Sequence, residues 1–249
     1  MTSRLTGSTA LVTGSTSGIG RAIAEALALL DAHVIVSGRN AVRGEEAVAG
    51  IRAAGGKADF ISADLSHAAG AHALAEQGAA VTGRIDILVN NAGIFSFGPT
   101  TEFTDAAFDH MYNVNVKAPY VLVGDLAPRM AERGEGAIVN ITTGAAVKGL
   151  ASAGLYGSSK AAVNLLTKAW AAEFGPRGVR VNAVSPGPIH TPGTEEMGEG
   201  AIDSFAVGLP VGRVGEPHEI ASAVAYLASA DASFVHGAIF SVDGGFTVV

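Results

Sequence analysis

Tyr156 and Lys160 stand four residues apart at the end of a stretch that opens on two adjacent threonines, "TTGAAVKGLASAGLYGSSK", residues 142–160. On a helix that spacing puts phenol and ammonium on one face. A phenol near its ordinary pKa of about 10 is a poor base at neutral pH. An adjacent ammonium favours the phenolate, draws the pKa down and lets the ring exchange a proton with a substrate oxygen. Alone, such a pair is usually a half-buried tyrosine beside a surface lysine, so its meaning depends on what else the chain carries.

A second constellation lies far upstream. "TGSTSGIG", Thr13 to Gly20, follows an apolar run directly and opens a helical pattern. Gly14, Gly18 and Gly20 let the backbone turn tightly and approach a pyrophosphate, whose charge meets the free N–H groups and positive dipole of the helix start. The bland alternative is a strand-to-helix turn that needs positive φ. Strand, turn and helix in that order favour a nucleotide site, with Ser17 in the turn and Ile19 packing into the core more than touching ligand. About 20 residues on, an acidic side chain would hold the ribose 2′-OH of NAD. Here the next run ends "VSGRN", with Gly38 at the acidic position and Arg39 after it. A guanidinium pairs bidentately with a 2′-phosphate, so NADP(H) is favoured over NAD(H). A solvated surface arginine is the alternative.

These residues need a scaffold that brings position 14 to position 156. Seven short runs, "TALVTG", "AHVIVSG", "KADFISAD", "IDILVNNAG", "GAIVNIT", "VRVNAVSPG" and "AIFSVDGG", are nearly continuous in apolar character, as strands buried on both faces should be. Amphipathic stretches such as "GIGRAIAEALALL", "AVRGEEAVAGIRAAG" and "AAVNLLTKAWAAEFG" alternate with them. The alternation predicts a single-domain, doubly wound (Rossmann-type) α/β fold: a parallel sheet of about seven strands with helices on both faces. No linker, charge block or repeat divides residues 1–249. Residues 186–217 are irregular, rich in Gly, Pro and acidic residues, with apolar Met197, Ile202 and Phe205. They are expected to cover the crevice as a lid at about 188–214.

Composition excludes several functions. With 249 residues, 48% hydrophobic content and 33 glycines, the chain can bury a large core. A net charge of −7 offers no basic excess for nucleic acid. The lack of cysteine excludes disulfides and thiolate chemistry and fits a reducing cytoplasm. No signal peptide or run of about 18 apolar residues is read, so a soluble, cytoplasmic protein without a membrane partner is expected. The seven histidines are scattered without paired spacing, so no metal site is expected, and His190 and His236 read as surface or interface residues. Glu195, Glu196 and Glu199 read as a solvated face.

Taken in order, "TGSTSGIG", "NNAG" at 90–93, "YGSSK" at 156–160 and "SPGPIHT" at 185–191 resemble the short single-domain branch of the short-chain dehydrogenase/reductase family. "RVNAVSPG" and "SFVHGAIFSVDGG" are similar to members that act as 3-oxoacyl carrier-protein reductases and related carbonyl or alcohol dehydrogenases. The resemblance implies that Asn90, Ala92 and Gly93 line the adenosine side of the cofactor, with Asn91 also among the contacts and Asp64 and Leu65 flanking the adenine. Read without it, Asn90 and Asn91 are polar groups at a strand mouth that can equally tie neighbouring loops. Pro186, Gly187, Ile189 and Thr191 match the segment that holds the nicotinamide carboxamide. Asn115, in "MYNVNVKAPY", matches a catalytic asparagine on a long helix, with Asn113 pointing elsewhere; Lys160 would also bind the nicotinamide ribose.

The family generally has serine thirteen residues before the tyrosine; here that position is Thr143. Threonine keeps the hydroxyl but adds a methyl that stiffens χ1 and crowds the pocket. Thr142 should point away. The expectation is an NADP-dependent oxidoreductase moving a hydride between nicotinamide and a carbonyl or secondary alcohol, a 3-oxoacyl thioester or another ketone. Its catalytic set is Asn115, Thr143, Tyr156 and Lys160, and Phe95, Phe97, Leu150, Met197 and Phe205 wall an apolar pocket. Alternatives are an NAD-dependent sugar or alcohol dehydrogenase and a catalytically impaired nucleotide-binding regulator. The resemblance further implies a homotetramer or homodimer.

Overall fold

The computed structural model describes residues 4–198 and 200–249. Glu199, one of the three acidic residues read as a solvated face, lies outside the described residues, whereas Glu195 and Glu196 are exposed as expected. All seven expected strands form: β1 (Thr9–Val12), β2 (His33–Gly38), β3 (Lys57–Ser62), β4 (Ile87–Asn90), β5 (Gly136–Ile141), β6 (Val179–Pro186) and β7 (Ile239–Val242). They pair in the order β3-β2-β1-β4-β5-β6-β7, every pair parallel.

Strand periodicity divides the core. In β1, Ala10 and Val12 enter one apolar cluster and Leu11 the other. The first cluster packs under α1 (Gly18–Leu29), α2 (Ala41–Ala53) and α8 (Pro217–Ala228). The second packs under α3 (Ala68–Thr82), α5 (Ala118–Arg133) and α6 (Gly154–Phe174). Two faces buried this way explain why the strands carry unbroken apolar runs.

From β1 the chain builds outward through β2 and β3, then returns to place β4 on β1's other side. At that reversal the helices that follow β1 and β4 pack on opposite faces of the sheet, which opens a crevice at the strands' carboxyl ends. A buried polar chain fixes α6 against it: Asn90 Nδ2 donates to Asn140 Oδ1 (2.9 Å), and Asn140 Nδ2 donates to Thr167 Oγ1 (2.8 Å). Each bond is worth about 1 kcal/mol net, but leaving one partner unpaired would cost more. Asn90 is thus a tie between strands and helix.

The long helix expected around Asn115 is interrupted. α4 (Asp105–Tyr112) continues into a π-helical turn over Asn113–Lys117 and then into α5. A π turn inserts an extra residue into the helical repeat and re-aims side chains. Here it buries Asn115 completely. Residues 186–217 contain the short helix α7 (Pro192–Glu195), begun by Thr191, whose side chain accepts from Thr194 N at 3.1 Å, and a 3₁₀ turn at Asp203–Ala206.

Candidate active site

The glycine turn is built as an anion cradle. Gly14 sits at φ 63°, and a Cβ there would lie 2.9 Å from Ala92 Cα. Ser17, the N-cap of α1, makes no side-chain capping bond, and no acidic residue occupies the first turn. The helix therefore starts with N–H groups and a positive dipole end that no side chain of its own satisfies. The β4 exit is stitched to this turn: Asn91 Nδ2 donates to Thr13 O (2.9 Å) and Gly14 O (3.1 Å), while Asn91 N and Ala92 N each donate to Thr13 Oγ1 at 3.0 Å.

A groove of about 680 Å³ runs from the turn toward the ends of β2 and β3. Gly14, Ser17, Gly18, Ile19, Arg39, Asp64, Leu65, Asn91, Ala92, Gly93 and Thr191, all among the expected cofactor residues, line it. Two assignments change. Gly20 is absent from the lining; it is buried, and a Cβ there would meet Gly14 O at 2.3 Å, so its role is to let α1 pack against the turn. Ile19, expected chiefly in the core, is only partly buried and lines both this groove and the neighbouring cavity. It packs on the core from below and faces the open space above. Asn90 lines neither.

Arg43, one turn beyond Arg39, also lines the groove, a second cation that the linear motif does not show. Asn40 starts α2 there, its Oδ1 accepting from Arg43 N at 3.0 Å. The Asp64 carboxyl is held below the usual range, first by hydrogen bonding to Ser66 and in smaller part by the Arg39 charge. At Gly38 a Cβ would stand 2.7 Å from Thr16 Cγ2, so the threonine fills the space a longer side chain would need.

The second cavity, about 210 Å³, shares Ile19, Asn91, Gly93, Ile94 and Thr191 with the groove and extends under residues 188–214. Its walls include Phe95, Phe97, Leu150, Met197 and Phe205, all five expected pocket residues. Pro186, Gly187 and Ile189 line this cavity and not the groove. Tyr156, Thr143 and Lys160 also line it. Phe95 and Phe97 meet the Tyr156 ring edge-on, with centroids 6.2 and 6.0 Å away.

The tyrosine differs from expectation. Enclosure pushes the Tyr156 phenol above its ordinary value, and a hydrogen bond with Thr143 pulls the other way. The phenol therefore rises where a drop was expected, and Lys160 Nζ donates to Ile141 O at 2.9 Å. Lys160 is 5% exposed, and burial pushes its pKa down to about 8. Low dielectric disfavours both charged forms. Thr143 starts the 3₁₀ turn Gly144–Ala146, its Oγ1 accepting from Ala145 N at 3.4 Å. Thr142, expected to point away, lines the same cavity, though its Oγ1 is turned to Val184 O at 3.3 Å.

Asn115 lines neither space. Its Oδ1 accepts from Ile94 N (2.9 Å), and its Nδ2 donates to Ile94 O (2.9 Å) and Ser159 Oγ (3.0 Å). It clamps the β4 exit to α6 directly beside Lys160: a Cβ on Gly93 would lie 3.0 Å from Lys160 Nζ and 3.3 Å from Asn115 Oδ1. His190 is half-buried, 3.4 Å from Asp203, and His236 is exposed. Among the described residues no cluster of three or more His, Cys, Asp or Glu is arranged to hold a metal, and no helix is long and apolar enough to cross a membrane.

An uncapped helix start, a polar groove and a hydroxyl-bearing cavity joined at Gly93 and Thr191 fit an extended dinucleotide with its reactive end toward Tyr156. Fold and site together define a class, the doubly wound oxidoreductases that work with a nicotinamide dinucleotide. Comparison with known proteins narrows it. Residues 14–247 match the family described as enoyl-(acyl carrier protein) reductase. A solved short-chain dehydrogenase/reductase family protein is 48% identical, covers 99% of this chain and 100% of its own, and superposes with a TM-score of 0.91. A blue fluorescent protein from a metagenomic library, solved in complex with NADPH, is 37% identical over 98% of this chain and 99% of its own, TM-score 0.92. Cyclopentanol dehydrogenase of a Comamonas strain is 36% identical over 239 residues, 95% of this chain and 96% of that enzyme. The chain belongs to the short-chain dehydrogenase/reductase family and is an NAD(P)-dependent oxidoreductase of alcohols and ketones.

Proposed function

We propose that this enzyme interconverts a small, largely apolar ketone and its secondary alcohol with NADP(H). The observation that carries the reading is the contrast inside the 210 Å³ cavity, where Thr143 and Tyr156 present hydroxyls among Phe95, Phe97, Leu150, Met197 and Phe205. Polar groups in an apolar cavity fix the orientation of one polar substrate atom. When bound, the nicotinamide supplies the hydride for the carbonyl carbon or accepts it from the alcohol. In reduction, Thr143 and Tyr156 hydrogen-bond the carbonyl oxygen and Tyr156 gives it a proton. Lys160, cationic below about pH 8, offsets the charge left on the phenolate. Asn115 holds the Ile94 backbone and Ser159 so that α6 keeps its distance from the groove.

The groove residues Gly14, Ser17, Gly18, Asp64, Leu65, Asn91, Ala92 and Gly93 would hold the adenosine and pyrophosphate, and Pro186, Gly187, Ile189 and Thr191 the nicotinamide. Preference for NADP rests on Arg39 and Arg43 beside a Gly38 whose missing side chain Thr16 replaces. Two guanidiniums favour a phosphate dianion, and Gly38 puts no carboxylate at the end of β2 to grip a bare ribose. The segment at 188–214 acts as the lid. The chain works as a homotetramer or homodimer in the cytoplasm; exposed Phe108, Tyr120 and Leu165 on α4–α6 supply one apolar face for association. Sedimentation at micromolar concentration should exceed the monomer.

Steady-state kinetics on cyclic and linear ketones, a 3-oxoacyl thioester and a keto sugar, each with NADPH and NADH, tests the proposal. The highest kcat/KM is expected for an apolar ketone with NADPH. Preference for NADH would overturn the reading of Arg39, and turnover of the sugar alone would overturn the apolar pocket.

A further inference from the structure

The substrate cavity has one wall from a part of the chain distant from the glycine turn and from Tyr156. Phe246, in the segment after β7, lines it and is absent from the nucleotide groove. Its ring lies on the turn that follows Thr143: a Cβ on Gly144 would stand 2.5 Å from Phe246 Cδ1. The segment is packed against two other parts of the site. A Cβ on Gly187 would meet Asp243 O at 2.6 Å, and Val211 N donates to Gly244 O at 3.1 Å. Asp243 shapes the bend by accepting from Gly245 N (2.9 Å), Thr247 N (3.1 Å) and Thr247 Oγ1 (2.6 Å).

One cation fastens the ring. Lys148 lies 5.0 Å from the Phe246 ring centroid, and its Nζ donates to Phe246 O at 3.2 Å and to Val249 O. Ammonium over ring, combined with one carbonyl bond on the same residue and one on Val249, fixes both the plane and the depth of the side chain. A wall set this way cannot retreat freely from a larger substrate.

We infer that Phe246 sets the upper size limit of the substrate, and that Lys148 is the positioning residue that holds it there. The inference rests on the reading of this cavity as the ketone pocket. An aromatic ring removed from such a wall frees room for several methylenes, and one methylene in an apolar pocket discriminates by roughly tenfold or more.

The test is a ring-size series of ketones, from cyclopentanone to cyclododecanone, with NADPH, on the wild-type enzyme and on Phe246→Ala, Phe246→Trp, Lys148→Met and Lys148→Arg. In Phe246→Ala the kcat/KM ratio of the largest to the smallest accepted ring should rise on the order of tenfold. Phe246→Trp should lower it. Lys148→Met should shift the ratio in the alanine direction through KM more than kcat, and Lys148→Arg should restore it. NADPH affinity, read by fluorescence titration, should stay unchanged throughout and reports a folded enzyme. Wild-type turnover with the same size ratio in both Phe246 variants overturns the inference and leaves the proposed function standing. If the wild type accepts linear thioesters or sugars but no ring, the ketone-pocket reading falls and takes this inference with it. Should Phe246→Ala not fold, the tryptophan and lysine variants decide.

Discussion

The nucleotide groove and the substrate cavity adjoin, yet they are made differently. The groove is wide, polar and built largely from consecutive residues: the turn at 13–20, the end of β2 at 37–43 and the β4 exit at 91–94. The cavity is less than a third of its volume, mainly apolar and assembled from residues around 95, 143, 156, 187, 202 and 246. Backbone N–H groups and charges recognise a shared cofactor, so local geometry suffices. Side-chain volume recognises a particular substrate, so any segment that folds over the site can contribute.

If the two regions are separable, substitutions in one should leave the other's readout alone. The largest effect is expected for Tyr156→Phe, which removes the proton donor and should lower kcat by about 10³-fold. NADPH affinity, measured by fluorescence titration, should be unaltered; an equal loss of affinity would merge the two regions. Arg39→Asp reverses the test. Charge-assisted hydrogen bonds of about 1.5–3 kcal/mol predict a roughly 10–100-fold fall in NADPH preference over NADH. The ranking of ketones should not change.

A smaller effect is expected from pH. Burial pushes Lys160 down to about 8, so its positive charge is present below that pH and lost above it. Reductive kcat/KM should therefore fall up to about tenfold per unit above pH 8, and the limb should be missing in Lys160→Met. The linkage has a stability counterpart. Between about pH 8 and the ordinary lysine value of 10.5, the unfolded chain holds the proton that the folded chain has released, so the cofactor-free protein should become more stable as pH rises through that window. Urea midpoints at two pH values, compared with Lys160→Met, check the sign. The smallest effect is expected for Thr143→Ser. Loss of one methyl should change kcat by about fourfold or less and admit bulkier ketones. Collapse of activity would show that the threonine's fixed rotamer, and not only its hydroxyl, positions the carbonyl.

The seven strands were legible because burial on both faces forces unbroken apolar runs, and the groove because glycine spacing and strand-to-helix order coincide in one stretch. Asn115, expected as a catalytic residue, was not legible as a clamp, since a π turn leaves no mark in a helical pattern. Arg43 was hidden because only the start of α2 at Asn40 brings it into the lining of the same groove as Arg39. Tyr156 and Lys160 were paired correctly on one helix, but the direction of the phenol's shift depended on enclosure.

Local order along the chain determined the family, the sheet, the glycine turn and the placing of Tyr156 and Lys160 on one helix, because those depend on backbone conformation and on spacing within single elements. Tertiary structure alone decided that Gly20 packs beneath the turn, that Ile19 faces both spaces and that Phe246, about 90 residues beyond the tyrosine, closes the substrate wall. Cavity shape and local dielectric are sums over every segment that reaches a point in space, and no short stretch of sequence contains that sum.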